Sequence, residues 1–186
     1  MLPNRKCINC YGFMMEKRKI LIVNTLDGGQ YSAELESLLQ EKEAEFKIIN
    51  SDAMNISHCV GCNHCWLKTP GVCVFNDDYL LILKELITSD EYWVVSDTSF
   101  GFLSSCGKRV FDRLMPLLLM YLELSEEGLM RHKLRYGRSI DVGIVFKGDG
   151  NREYLQRWCQ RTALNLAGQP LGVFDVNEIK EAVSCM

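Results

Sequence analysis

The sequence predicts a doubly wound, three-layer α/β sandwich around a five-stranded parallel sheet of order 2-1-3-4-5. Short, almost continuously apolar runs alternate with longer amphipathic segments along the chain. Such runs are typical of parallel strands that are buried on both faces. Right-handed crossovers then favour this strand order. The length of 186 residues fits one domain with a sizeable core.

Each element follows from its local pattern. Residues 1–18 carry Cys7 and Cys10 but no periodic pattern, so we expect a poorly ordered extension before a single domain of residues 19–186. The β-branched and apolar runs predict strands at Lys19–Asn24, Glu45–Asn50, Glu91–Ser96, Ile140–Phe146 and Leu171–Val176. The amphipathic segments predict helices at Ser32–Lys42, Asp77–Thr88, Ser104–Leu122 and Arg152–Ala167.

Composition excludes several classes of function. The net charge of −3 provides no basic field for nucleic acid or an anionic membrane. The first residues lack a continuous apolar core and a cleavage site, so we expect neither a signal peptide nor a membrane anchor. The run Leu114–Leu124 is far shorter than a bilayer span. Nine cysteines without a secretory signal indicate reduced thiols and a cytoplasmic location.

In a sheet of this order, ligands bind beyond the carboxyl ends of the strands, at the switch point between the first and third strands. The loops to consider are therefore Thr25–Tyr31, Asp97–Ser105 and Lys147–Gly150. In the first loop, Gly28 and Gly29 allow a tight turn before a helix start, which together could bind a phosphate. The glycines fit a simple strand–helix turn equally well, and Asp27 would repel a phosphate.

The loops after the third and fourth predicted strands could hold a flat ring. Residues Ser96–Phe102 combine hydroxyl groups with two aromatic rings around a glycine, which suits stacking and polar-edge contacts. The alternative is a turn followed by an N-cap at Ser104 or Ser105. Gly148 and Asp149 would close the rim of the pocket, although a solvated turn explains them as well.

Cys59, Cys62, Cys65 and Cys73 are the densest chemical signal in the chain. Spacing of this kind lets several thiolates converge, as an iron–sulfur cluster or a soft metal requires. A redox-active Cys-x-x-Cys pair and a turn of buried, inert thiols are the alternatives.

Two further segments, one basic and one apolar, can each be interpreted in a structural or in a functional way. The basic run Arg131–Arg138 could meet the phosphates of a nicotinamide cofactor, but a solvated face or a subunit contact is favoured. The apolar run Leu114–Leu124, interrupted at Pro116, is most simply core, and its surplus of apolar residues also suits a dimer interface.

At these residues the chain resembles the flavodoxin-like NAD(P)H-dependent FMN reductases and their relatives, the iron–sulfur flavoproteins. The resemblance is sharpest in the cysteine segment Cys59–Cys73, in the pair Asp77-Asp78 and in Lys108-x-x-x-Asp112-Arg113. In that family the FMN phosphate lies in the loop after the first strand, and the ring lies against the loops after the third and fourth. The resemblance therefore implies FMN-binding residues at Thr25, Gly28, Gly29, Gln30, Tyr31, Ser32, Ser96, Thr98, Ser99, Phe100, Gly101, Phe102, Gly148 and Asp149.

The resemblance implies an FMN-dependent oxidoreductase that passes electrons from NAD(P)H to a quinone-like, metal or protein acceptor. No catalytic side chain is implied, since the flavin supplies the chemistry. For the four cysteines, free thiols are favoured over an iron–sulfur cluster. A homodimer or larger oligomer is expected. The alternative is a flavodoxin-like binding or thiol- and metal-sensing protein that has lost FMN, because both diagnostic loops depart from the family pattern.

Overall fold

A computed structural model describes residues 17–186 of the chain. The strands are β1 (Lys19–Asn24), β2 (Glu45–Asn50), β3 (Glu91–Ser99), β4 (Phe102–Leu103), β5 (Leu118–Leu124), β6 (Met130–Leu134), β7 (Ile140–Lys147) and β8 (Ala167–Asp175). The α-helices are α1 (Ser32–Glu41), α2 (His64–Leu67), α3 (Tyr79–Leu86), α4 (Ser105–Asp112), α5 (Arg152–Asn165) and α6 (Ile179–Cys185).

The main sheet confirms the predicted architecture. Its five long strands lie in the order β2-β1-β3-β7-β8, and every pairing among them is parallel. This is the predicted order 2-1-3-4-5, counted along those five strands. The short strand β4 adds an antiparallel partner to the carboxyl end of β3. The sheet therefore places the carboxyl ends of β1 and β3 side by side, at the switch point.

Two apolar layers cover the faces of the sheet. Leu21 and Val23 contact the core that includes α3, α4 and α5, whereas Ile20 and Ile22 contact the core that includes α1 and α6. This alternation follows from the two-residue period of a strand. All four of these side chains are buried, which explains why β1 reads as a continuous apolar run.

The prediction of one helix over Ser104–Leu122 is wrong beyond Asp112. Helix α4 ends there, a 3₁₀ turn at Met115–Leu117 contains Pro116, and the chain continues as β5. Proline lacks a backbone N–H and prevents the helix from continuing. The following residues then pair with β6 in an antiparallel, two-stranded sheet. This is a local hairpin whose connection, residues 125–129, includes Gly128.

The predictions on the N-terminal extension and on domain organisation are only partly covered by residues 17–186. Residues 1–16 of the predicted extension lie outside the described residues, and the single-domain organisation of residues 19–186 stays a prediction. Within residues 17–186, no helix combines the length and the apolar character that crossing a bilayer requires.

Candidate functional site

The loop after β1 is organised by Asn24, a fully buried side chain. Its Nδ2 donates to the Gln30 carbonyl at 2.7 Å and to the Ser32 hydroxyl at 2.8 Å. Its Oδ1 accepts from the Leu26 N–H at 3.0 Å. Asn24 therefore ties both ends of the loop to the last residue of β1. This role of Asn24 was not predicted. The signal for it in the sequence is a polar asparagine at the end of an otherwise apolar strand.

The same loop presents the N-terminus of α1. Gly28, Gly29 and Tyr31 all have positive φ angles, between 62° and 66°, which fold the loop tightly before the helix. No side chain of the described residues caps α1. Its first turn therefore offers backbone N–H groups and the positive end of the helix dipole. These are the properties of an anion site.

Acidic groups border this loop. The Gly28 N–H donates to the Asp52 carboxylate at 2.9 Å, so it is already occupied, and Asp27 is exposed on the neighbouring turn. The phosphate-binding capacity of the loop therefore rests on the first turn of α1 rather than on its glycines.

The loop after β3 is a tight hairpin. Thr98 and Ser99 pair with β4, and Phe100 and Gly101 form the turn with φ angles of 52° and 76°. The Phe100 side chain is fully exposed at the tip. Phe102 instead packs edge-on against Trp158, with ring centroids 5.2 Å apart. Of the two predicted aromatic residues, the structure thus places one in solvent and the other against α5.

Two predicted residues lie beneath the surface. Thr25 is buried and donates to the Val95 carbonyl at 3.1 Å. Ser96 is fully buried, donates to the Asp97 carbonyl at 2.8 Å and lies 3.3 Å from the Ser104 hydroxyl. The hydroxyl groups of Thr25 and Ser96 thus hold the loops in place from below.

The three loops meet at their tips. The Lys147 ammonium donates to the Gln30 side chain at 2.6 Å, which joins the loop after β1 to the loop after β7. Thr98 donates to the Lys147 carbonyl at 3.1 Å, and the Asn151 N–H donates to the Gly101 carbonyl at 2.8 Å. Gly148 and Asp149 are exposed on this rim. Contacts of Lys147 and Asn151 therefore join three of the predicted residues, which are Gln30, Thr98 and Gly101.

The four cysteines line one cavity of about 270 Å³. Gly71, with φ 83°, returns the chain after α2, and its N–H donates to the Cys65 carbonyl at 2.9 Å. Arg135 donates to the same carbonyl at 3.2 Å. Cys73 is thereby brought to the cavity that the other three cysteines line. Val60, Val74, Phe75, Met115 and Pro116 form the apolar part of the wall.

The chain that leads into this loop is fixed to α4 and to its C-terminal end. Arg113 donates to the Ser57 carbonyl at 2.9 Å, and Arg109 donates to the Ile56 carbonyl at 3.0 Å. His58 Nε2 lies 3.5 Å from the Ser105 hydroxyl. Because Ser105 begins α4 directly after the β3–β4 hairpin, the cysteine loop lies beside the ring loop.

Asp77 and Arg113 form a buried ion pair below the cavity. The two carboxylate oxygens of Asp77 accept from the two terminal nitrogens of Arg113 at 2.9 and 3.0 Å. Burial by itself raises the pKa of Asp77, but hydrogen bonds from Arg113 and Ser57 outweigh it and the net pKa is lowered. Burial lowers the pKa of Arg113, but Asp77 and nearby Cys73 bring the net pKa above its ordinary value.

The thiols themselves have a different environment. Burial raises the pKa of the Cys65 thiol, and the proximity of Cys73 and Cys59 raises it further. The neutral thiol is therefore favoured at Cys65.

The four cysteines of the cavity supply donors of one kind, the thiolate. In residues 17–186, no three Cys, His, Asp or Glu side chains converge closely enough to hold one metal ion. In a four-iron cluster each cysteine binds a different iron, so the sulfurs stand around the cluster rather than at a point. In kind and number, the four thiols of the cavity are the donors that such a cluster uses. Arg113 lines the same cavity and is the cation in its wall.

Comparison with known proteins identifies the fold. No family model matches the chain. An iron–sulfur flavoprotein of Methanocaldococcus jannaschii is 33% identical over 79 residues, which are 42% of this chain and 40% of that protein. An NAD(P)H:quinone oxidoreductase from Methanothermobacter marburgensis superposes with a TM-score of 0.60 at 9% identity, covering 91% of this chain and 95% of that chain. The chain has the flavodoxin-like fold.

A second flavodoxin-like neighbour carries a ligand. RosB, solved with bound 8-demethyl-8-formylriboflavin-5′-phosphate, has a TM-score of 0.58 at 11% identity, covering 90% of this chain and 76% of that chain. At these identities the structural matches show the fold alone. The cofactor and the activity of the present chain therefore depend on its own loops.

Proposed function

We propose that the protein is an FMN-dependent oxidoreductase that takes electrons from NAD(P)H and passes them to a quinone-like, metal or protein acceptor. The observation that carries this proposal is the meeting of three loops at the switch point, beside an α1 N-terminus that no described side chain caps. The fold neighbours add support, since one is a quinone oxidoreductase and another binds a flavin phosphate.

Each part of the site has a defined task in this proposal. The first turn of α1 and the Ser32 hydroxyl bind the phosphate, and Asn24 keeps them in position. The Thr98–Gly101 hairpin and the Gly148 rim orient the ring by backbone groups and hydroxyls. When bound, FMN supplies hydride acceptance and the release of electrons to the acceptor. Lys147, at the junction of the loops, contributes positive charge beside the phosphate-binding turn.

An FMN titration followed by flavin fluorescence tests the proposal. Ala33 is exposed in the first turn of α1, and Ala33→Glu places a carboxylate where the phosphate binds. A negative charge in the first turn stabilises a helix, so folding is preserved while FMN affinity falls about tenfold or more. Ser37→Glu adds the same charge one turn later, on the exposed surface, and leaves affinity unchanged. A wild-type protein that binds no FMN would refute the proposal.

A second candidate function rests on the acidic border of the first loop. Because Asp52 already accepts from the Gly28 N–H and Asp27 stands beside it, the loop could serve a protein that has lost FMN. The chain would then act as a binding or thiol-sensing protein on a flavodoxin-like scaffold. The same FMN titration separates the two candidates.

We further propose that the four cysteines hold an iron–sulfur cluster in the anaerobic protein, in place of the free thiols favoured by the sequence. The shared cavity and the partial match to an iron–sulfur flavoprotein support this. Iron and acid-labile sulfide assays should give about four of each per chain. Cys73→Ser should lower both, whereas Cys106→Ser, which does not line the cavity, should not. Quantitative thiol labelling without iron would instead establish free thiols.

We also propose a homodimer or larger oligomer that forms through the β5–β6 hairpin. Met120, Tyr121, Leu122, Leu124 and Met130 expose 48–69% of their surface on this hairpin. A two-stranded sheet is only marginally stable when it stands alone. A second copy that covers this apolar surface would stabilise it.

A further inference from the structure

The Asp77–Arg113 ion pair is buried, and a gain in stability alone explains such a pair poorly. Arg113 is 1% exposed, and its guanidinium lies 4.7 Å from the centre of the Tyr79 ring and 5.5 Å from that of Phe75. Removing two charges from water is so costly that apolar replacements of a buried pair are often neutral or stabilising. Arg113 also holds the Ser57 carbonyl, but its place in the wall of the cysteine cavity points to a further role that an apolar residue could not fill.

The pair is oriented toward the cysteine cavity. Arg113 lines that cavity together with the four cysteines, and Asp77 is not part of the lining. Asp77 is held on the other side, where it accepts from the Ser57 N–H at 2.9 Å. The positive end of the pair therefore faces the thiols. The other charged side chain of the wall, Asp112, is paired with Lys108.

Arg113 is held by its terminal nitrogens. They donate to Asp77 and to the Ser57 carbonyl, and the Nε is fully buried. Because the Nε has no exposed surface, it does not open onto the cavity. What Arg113 offers to an anion in the cavity that it lines is therefore its positive charge.

We propose that Arg113 is a charge-setting residue for the iron–sulfur cluster of the cysteine cavity. Its positive charge, held in the wall of the cavity, favours the reduced state. This inference rests on the cluster proposed above. Reduction adds one electron and no bond forms or breaks, so the cluster becomes more negative by one charge. Hydrogen bonds to sulfur and local charge are known determinants of cluster potentials.

Two variants break the same ion pair from its opposite ends. Arg113→Met removes the nearby positive charge and should lower the equilibrium constant for cluster reduction about tenfold, which is about 59 mV for one electron. Asp77→Asn keeps a similar shape, leaves the cation without its counter-charge and should raise that constant. The measurement is a dithionite titration of the anaerobically reconstituted protein, with the reduced cluster quantified by its electron paramagnetic resonance signal.

The sign of the two shifts decides the question. If Arg113 only supports the fold, both variants shift the potential in the same direction or leave it unchanged, and the proposal is overturned. Arg113→Lys keeps the charge, so it should lie nearer to wild type than Arg113→Met. If Arg113→Met does not fold, as circular dichroism would show, the upward shift in Asp77→Asn remains decisive.

The test separates this inference from the proposed flavin activity. A wild-type protein that retains no iron and sulfide after reconstitution overturns the role of Arg113. FMN binding is measured on the same sample by fluorescence, and it stands or falls independently.

Discussion

Asn24 offers the sharpest test of how the sequence builds the phosphate loop. The Asn24→Ala variant removes three hydrogen bonds, to the Gln30 carbonyl, the Ser32 hydroxyl and the Leu26 N–H. Each contributes about 1 kcal/mol to stability. We therefore expect the free energy of unfolding to fall by about 3 kcal/mol, because the side chain is fully buried and water cannot replace it.

Urea unfolding followed by circular dichroism measures this loss. Ser37→Ala, at an exposed position of α1, is the control and should stay within about 0.5 kcal/mol of wild type. Asn24→Asp keeps the acceptor for Leu26 but lacks the amide donors and adds a negative charge. It should weaken FMN binding more than Asn24→Ala does. A loss below about 1 kcal/mol in Asn24→Ala would show that the loop does not depend on these bonds.

Three further predictions follow from packing, charge and exposed surface. Gly143→Ala should destabilise the protein by about 1–3 kcal/mol, since its Cβ would lie 2.3 Å from the Trp93 ring. Adding Trp93→Phe should cost less than the sum of the two single changes, and additive losses in urea unfolding would contradict this. The lowered pKa of Asp77 means that its contribution to stability is present above the ordinary pKa of aspartate, about 3.9, and is lost as pH falls through the lower folded value. Unfolding free energies measured downward from pH 5 should fall less steeply in Asp77→Asn, and identical slopes would argue against it. Leu122→Glu on the exposed hairpin should shift sedimentation toward monomer, whereas a wild-type protein that is monomeric at micromolar concentration would refute the proposed oligomer.

Much of the fold was readable from local pattern. The bounds of β1 and β2 match the predicted runs, and β3 and β7 begin where the sequence predicts. Their continuous apolar character follows from burial on both faces, which holds for any doubly wound sheet. By contrast, β5 and β6 were missed, although they form a local hairpin. The apolar run of β5 was assigned to a helix, and the short connection with Gly128 was the unused signal for a hairpin. Pro116 was the local signal that the predicted helix had to end.

The candidate site also has features that the sequence predicted and features that only the structure shows. The sequence identified the loops, because their position at the carboxyl edge follows from strand order alone. It could not show that Thr25 and Ser96 turn inward, or that Lys147 joins the loops. Those outcomes depend on side-chain contacts between segments that are distant along the chain.

The sequence by itself determined the sheet order, the loops at the switch point and the density of thiols in one segment. Each of these is a local or periodic property of the chain. Only the tertiary structure decided that Cys73 joins the other three cysteines and that Arg113 faces them with its partner Asp77 behind. Asp77 and Arg113 are separated by 36 positions. Their burial beside the thiols is fixed by packing among loop, helix and rings, which no local pattern encodes.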